Sequence, residues 1–351
     1  MSFASDNWAG ASDKVMAFLQ EANTDLAPAY GGDPWTGRAI DALAAYFEHD
    51  VAAFFVATGS AANGLALATI GKSAGVTFCH VDAHVTRDEA GGPMLYAPGT
   101  AFDTVDGPAG RIDPGALAAR LADYPEGFVH HGRPAAVSIT NVNEIGQCYT
   151  VAEVAEIAAI AKGRGCALHM DGARFSNALA HLGVSPADLT WRAGVDVISL
   201  GLTKTGGWAA EAVVFFDPAL REEAMYRHKQ AAQLFSKNRF AAAQVLALLG
   251  DGHALALARH ANTMGAAVAD VLREADVAEL AHEPHCNQVF AYVAPAAVER
   301  LNAAGIVMAP WHSRSAHLPG PPAPDHGLWR FVASFRTTEA DIDTLRTAIA
   351  G

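Results

Sequence analysis

Two stretches decide the fold: 166-CALHMDGARFSNA-178 and 195-VDVISLGLTKTGG-207. In each, a short apolar run ends in small and polar residues, Asp171-Gly172 in the first and Thr203-Lys204-Thr205 between glycines in the second. Runs of this length, closed by turn residues, read as strands buried on both faces. Working outward, 51–57, 76–81, 135–140 and 211–216 read as strands too, with 166–170 and 195–200. Between them lie Ala-rich helical patterns such as 59–70, 113–123 and 151–163. Thr150 and Glu153 stand at capping-box spacing, and Asp113-Pro114 is a cap followed by a first-turn residue. Strand–helix alternation of this kind predicts an α/β fold, a mostly parallel mixed sheet flanked by helices.

After residue 240 the pattern changes to long Ala/Leu helices, 240–250 and 253–273. Short strands follow, then a last helix from Thr338 with Asp341 in capping-box position. This predicts a large domain over 1–245, with an N-terminal arm at 1–12, and a smaller C-terminal α+β domain over 246–351. The stretch 318-LPGPPAPDHG-327 holds four prolines and reads as a loop.

Composition narrows the function. The chain has 351 residues, 51% of them hydrophobic and 17% charged, which suits a sizeable core and excludes a disordered or fibrous protein. The net charge of −13 disfavours nucleic acid and anionic membrane as partners. The apolar runs 51-VAAFFVA-57 and 212-AVVFF-216 are too short to cross a bilayer. The opening 1-MSFASDNWAG lacks the basic and apolar parts of an export signal, so a cytoplasmic protein is expected. Four cysteines without a CxxC pair fit reduced thiols.

Three motifs carry chemistry. Asp171 ends a strand, the place where doubly wound sheets hold their ligands. Lys204 is delivered by a buried strand into a loop of small residues, where lost solvation lowers an amine's pKa and makes it nucleophilic. Thr58-Gly59-Ser60 joins a strand directly to a helix, and the free N–H groups of a helix start attract an anion such as phosphate. Alone, each motif is ordinary: an aspartate that caps a helix, a loop lysine, a tight turn. Together, in this order, they match the needs of pyridoxal 5′-phosphate, whose phosphate takes a helix start, whose ring nitrogen an acid and whose aldehyde an amine. His80 and His84 stand four apart without a third ligand, so no metal is expected.

On FASDN (3–7), AYGGD (29–33), ATGSAAN (57–63), AHVTRDEAGGP (83–93), LHMDGARFSNA (168–178), GLTKTGG (201–207) and RFVASF (330–335), the chain resembles the low-specificity L-threonine aldolases and phenylserine aldolases, within fold type I of the pyridoxal phosphate enzymes. The resemblance implies cleavage of a β-hydroxy-α-amino acid to glycine and an aldehyde. It matches Lys204 to the Schiff-base lysine, Asp171 to the partner of the ring nitrogen, and Thr58, Gly59 and Ser60 to the phosphate site. His84 matches a ring-stacking histidine and base. Arg174 falls beside the ring oxygen and the substrate carboxylate, and Ser5 and Arg330 match groups that hold that carboxylate. Arg336 lies close to Arg330 as a rival clamp. Tyr30 and His130 match positions at the hydroxyl end of the substrate. A homodimer or homotetramer with shared sites is also implied.

Two features depart from the pattern. Where relatives carry a Gly-rich, Arg-containing stretch that reaches a neighbour's phosphate, this chain offers Lys229, Lys237 or Arg239. The Pro-rich loop 318–325 has no counterpart in compact members and is expected to act as a lid. Rival readings are a β-eliminating lyase, aminotransferase or racemase with the same cofactor, a non-catalytic cofactor-binding regulator, and a nucleotide-binding α/β protein.

Overall fold

The computed structural model describes residues 1–23 and 26–351. Its main sheet has seven strands: β1 (Ala52–Val56), β2 (Gly75–His80), β3 (Ala101–Val105), β4 (Arg133–Thr140), β5 (Ala167–Gly172), β6 (Val197–Leu200) and β7 (Glu211–Phe215), in the order β1-β7-β6-β5-β4-β2-β3. Strands β6, β5, β4, β2 and β3 pair in parallel, while β7 runs antiparallel to both its neighbours. Every expected strand is present within a residue or two. β3 was missed because its Ala-Phe-Asp-Thr-Val run is largely uncovered and so lacks a buried strand's apolar continuity.

Burial explains the sequence pattern. Residues of β2 and β7 are buried on both faces, as a sheet covered by helices on both sides requires. Helix Val151–Gly163 opens with the Thr150–Glu153 capping box, and helix Pro114–Ala122 is capped by Asp113. Two helices that the strand pattern did not announce, Asp13–Ala22 and Pro34–Phe47, pack against helix Arg239–Leu249.

The second sheet is antiparallel throughout: β8 (Ala278–Leu280), β9 (Gln288–Val293), β10 (Ala309–Pro310) and β11 (Gly327–Val332), in the order β10-β11-β9-β8. The last helix, Glu339–Ala350, has the expected capping box at Thr338 and Asp341. One apolar core lies around the main sheet and includes Leu248 and Ala254. A second, from Met264 onward, lies under the small sheet and takes in Phe3 from the chain's start. By length and composition the helical stretch Arg239–Glu274 passes for a bilayer span. It breaks at Gly250–Gly252, however, where Asp251 takes φ +54°, and its apolar residues fill these two cores.

The N-terminal arm joins the two bodies. Phe3 N–H donates to Val307 O at 2.7 Å, and Val332 N–H donates to Phe3 O at 2.7 Å, so the arm lies along the small sheet. The Pro-rich segment is also tied down. Just before it, Asp82 accepts the Arg314 N–H at 2.7 Å and the Ser313 hydroxyl, and Asp106 accepts the Ala316 N–H at 2.8 Å. Within the segment, the Tyr292 hydroxyl donates to Pro319 O. The expected loop is there, strapped to the main body beside β2 and β3.

Candidate active site

A cavity of about 310 Å³ opens where strands β1, β4, β5 and β6 end and β7 begins. Its lining includes Thr58, Gly59, Ser60, His84, Asp171, Arg174 and Lys204, so seven expected residues meet at one place.

At one side helix Gly59–Ile70 begins. The Thr58 hydroxyl caps it by accepting the Ala61 N–H at 3.2 Å. The N–H groups of Gly59 and Ser60 have no acceptor among the described residues, and a Cβ built on Gly59 would meet nothing within 4 Å. This is an open anion cradle at a positive helix end.

Lys204 sits in the short turn Thr203–Thr205 after β6. That loop is pinned by Glu211 at the start of β7, whose carboxylate accepts the Leu202 N–H at 2.6 Å. Gly201 lets the loop pass the end of β5, because a Cβ there would lie 2.4 Å from Ala173 O. Lys204 makes no hydrogen bond among the described residues. Burial and the neighbouring Arg174 charge push its amine below the ordinary lysine range, against the pull of Asp6, Asp171 and Glu211. The result is an amine with nucleophilic character and free geometry.

Asp171, 6% exposed, is held by donors on both oxygens: Ala173 N–H at 2.9 Å and the Asn63 carboxamide at 2.8 Å. Arg174 forks onto Asp6 with contacts of 2.7 and 2.9 Å, and Asn287 adds a third donor at 3.1 Å. Burial raises the Asp6 pKa, but Arg174, Lys204 and Asn287 outweigh it and hold the carboxyl ionised. His84 Nδ1 lies 2.9 Å from Glu89. That hydrogen bond raises the imidazole pKa above its ordinary value, against burial.

Glu144 is the fourth acid of the cavity wall. It accepts the His84 backbone N–H at 2.8 Å and the Thr140 hydroxyl at 3.0 Å. Burial, helped by Asp171, pushes its carboxyl up to about 7.

A lyase family model, described as beta-eliminating lyase, matches residues 2–296. The low-specificity L-threonine aldolase of a Pseudomonas species is 40% identical over 303 residues, 86% of this chain and 87% of that protein. This chain belongs to the beta-eliminating lyase family, in its threonine aldolase branch. The low-specificity L-threonine aldolase of Pseudomonas aeruginosa shows the same 40% identity over the same span. The threonine aldolase of Leishmania major superposes with a TM-score of 0.89 over 99% of this chain and 98% of its own, and at 23% identity it shows that the fold is shared.

Other expected residues of this lyase-family chain are not among those that line the cavity. The Ser5 hydroxyl accepts the Asn7 N–H at 3.1 Å, and it is Asn7 that lines the wall. Arg330, on β11, donates to Ala4 O at 3.2 Å and stacks on Trp311 at 4.5 Å, with its Nε left unpartnered. Burial and Arg174 push its guanidinium down to about 10, still cationic at neutral pH. Arg336 instead donates to Ala11 O at 2.9 Å on an exposed face. Tyr30 is exposed, with φ +58°, and carries Lys229 over its ring at 5.1 Å.

This chain does not bring His130 to its own cavity. It precedes β4, whereas the cavity lies beyond the far end of that strand, about 25 Å along it. None of Lys229, Lys237 and Arg239 lines the cavity, and neither does any residue of the strapped segment 313–325, so the lid expectation finds no support in this placement. Among the described residues no cluster of three His, Cys, Asp or Glu is placed for a metal, and His80 faces Asp106 at 3.2 Å.

Asp6, Asn63, Glu89, Glu144 and Glu211 were not singled out from sequence. Asp6, Asn63 and Glu89 lay inside motifs quoted for other residues. Glu211 follows the lysine loop closely enough that an acid opening a buried strand was the available signal. Glu144 had no local signal.

Proposed function

We propose that this chain cleaves L-β-hydroxy-α-amino acids of the L-threonine, L-allo-threonine and L-phenylserine type at the Cα–Cβ bond, giving glycine and an aldehyde with the aid of pyridoxal 5′-phosphate. The reading rests on one observation: a buried lysine with no hydrogen bond, its pKa lowered by burial and Arg174, a fixed carboxylate and an open anion cradle share a cavity sized for a small ligand. Those residues fit the cofactor. The helix start at Thr58, Gly59 and Ser60 would take the phosphate, Asp171 the ring nitrogen, and Lys204 the aldehyde carbon. When bound, the cofactor supplies an electron sink for the broken bond.

The chain's own groups do the rest. Asp171 keeps a proton on the ring nitrogen, which deepens the sink. His84 takes the hydroxyl proton, help worth roughly 10²–10⁴ in rate. Arg330 and Ser5 hold the substrate carboxylate, and the bidentate guanidinium geometry suits that task. Arg174, already neutralised by Asp6, would stand beside the ring oxygen of the bound cofactor. Residues 1–245 form the body that holds the cofactor, and 246–351 the body that brings Arg330.

Tyr30 and His130 serve the cavity of a neighbouring subunit in a homodimer or homotetramer. The exposed Tyr30, and the exposed Phe128 and Val129 beside His130, support that arrangement. One of Lys229, Lys237 and Arg239 reaches a neighbour's phosphate. The enzyme is cytoplasmic.

The test is direct. Purified protein is incubated with L-threonine, L-allo-threonine and L-phenylserine, and aldehyde is assayed. No aldehyde from any of them removes the aldolase reading. Keto acid or ammonia without aldehyde selects another reaction at the same cofactor: both together mark β-elimination, the chemistry in the family's description, and keto acid alone marks transamination.

A further inference from the structure

Helix Gly59–Ile70 presents more than its first turn to the site. One turn on, Asn63 is 2% exposed. Its carboxamide nitrogen donates one N–H to Asp171 Oδ2 and the other to Glu89 Oε1, each at 2.8 Å. Ionised carboxylates only accept, so the nitrogen and not the oxygen must stand between them. Glu89 Oε1 also meets His84 Nδ1 at 2.9 Å, and the Glu89 side chain is fully buried. Four side chains therefore form one line, His84–Glu89–Asn63–Asp171, drawn from three separate strand ends.

We propose that Asn63 is a positioning residue: by bridging the two carboxylates it holds Glu89 against His84 Nδ1, so that the imidazole keeps its proton there and turns Nε2 to the substrate hydroxyl. The proposal rests on the reading of this cavity as the lyase site.

The physics is that of two like charges close together in a buried place. Without a shared donor they repel, and one of them rotates away or takes a proton. The two amide protons relieve both at once. A histidine whose Nδ1–H is bound has its tautomer fixed, and Nε2 is left as the base. The charged groups acting on the imidazole are Glu89, Asp171 and Lys204, with Glu144 on the backbone N–H of the same residue. When Nε2 takes a proton, the new charge settles against Glu89. The outer atoms of the bridge, Asn63 Oδ1 and Glu89 Oε2, are buried without partners. Two hydrogen bonds alone therefore hold the carboxamide in place.

Nitrogen-15 NMR of the imidazoles and side-chain amides tests this, on protein stripped of cofactor and on the same protein reloaded. In the unaltered protein His84 is expected as the Nδ1–H tautomer, and the Asn63 amide protons should shift as His84 titrates. In E89Q the tautomer becomes mixed and the His84 titration moves down in pH. In N63A the Nδ1–H fraction also falls, and kcat drops roughly 10–100-fold with KM within about twofold. An unchanged His84 tautomer in N63A overturns the proposal, whatever happens to activity. Should N63A fail to fold, Asn63 amide protons that ignore the His84 titration in unaltered protein overturn it equally. If the stripped protein behaves as stated but the loaded protein shows no cofactor absorbance, the bridge stands and the reading of the cavity fails.

Discussion

Lys72 and Lys204 stand at opposite ends of one sheet, and their surroundings differ in a telling way. Lys72, just before β2, spends its amine on the carbonyls of Pro134 at 3.0 Å and Gly165 at 2.6 Å. Around it, Arg133 donates to Ser73 O and Arg164 to Tyr124 O. These three cations are all occupied by backbone carbonyls. At the other end Lys204 has no hydrogen bond, and the N–H groups of Gly59 and Ser60 have no acceptor among the described residues. Residue type does not separate the two ends; unmet bonding capacity does. Unmet capacity gathered at the wall of one cavity is capacity that a bound molecule can satisfy.

The sharpest way to break this contrast is to remove each lysine. K204A should lose about 10⁴-fold or more in aldehyde formation, and borohydride should no longer fix the coenzyme to the chain. K72A should stay within about twofold of the unaltered rate. Comparable losses from both would erase the distinction.

A second comparison sets one buried ion pair against an exposed contact. D6A strands Arg174 without its partner, and chemical denaturation should show a stability loss of about 3–5 kcal/mol. R164A removes an exposed contact at the far end, and the same measurement should show at most about 1 kcal/mol. Equal costs would mean that the crowded end is no more tightly coupled than the satisfied one.

The finest distinction is in pH. The Glu144 carboxyl sits at about 7 in the folded protein against an ordinary 4.5, so the folded state holds a proton that the unfolded chain has released. Between those values stability falls as pH rises, because the unfolded state binds fewer protons there. E144Q should flatten that slope in melting temperature against pH. A slope unchanged by E144Q assigns it to other groups.

Much of this was legible in sequence, and the reason is local. Strands with continuous apolar runs and helices opened by Thr150 or Thr338 carry their signals within a few residues. Lys204, Asp171 and the turn at Thr58–Ser60 were legible because each ends a strand. The partners that tune them were not. Asp6 meets Arg174 across 168 residues, and Asn63 meets Asp171 across 108. No spacing rule spans such distances, since they are set by which strands lie side by side. The short strands expected after the long helices could not be given bounds for a related reason, since β8 and β10 are too brief to show alternation.

The threading of the amino terminus has a consequence for how the enzyme is made. Phe3 needs Val307 and Val332, and Asp6 needs Asn287, so these early residues wait for partners made some 280 residues or more later. Until the small sheet exists, Arg174 lacks the fully fastened carboxylate that neutralises it. A ribosome-bound chain halted before β9 would thus hold Lys204 in a half-built setting, and competence would arrive late and all at once.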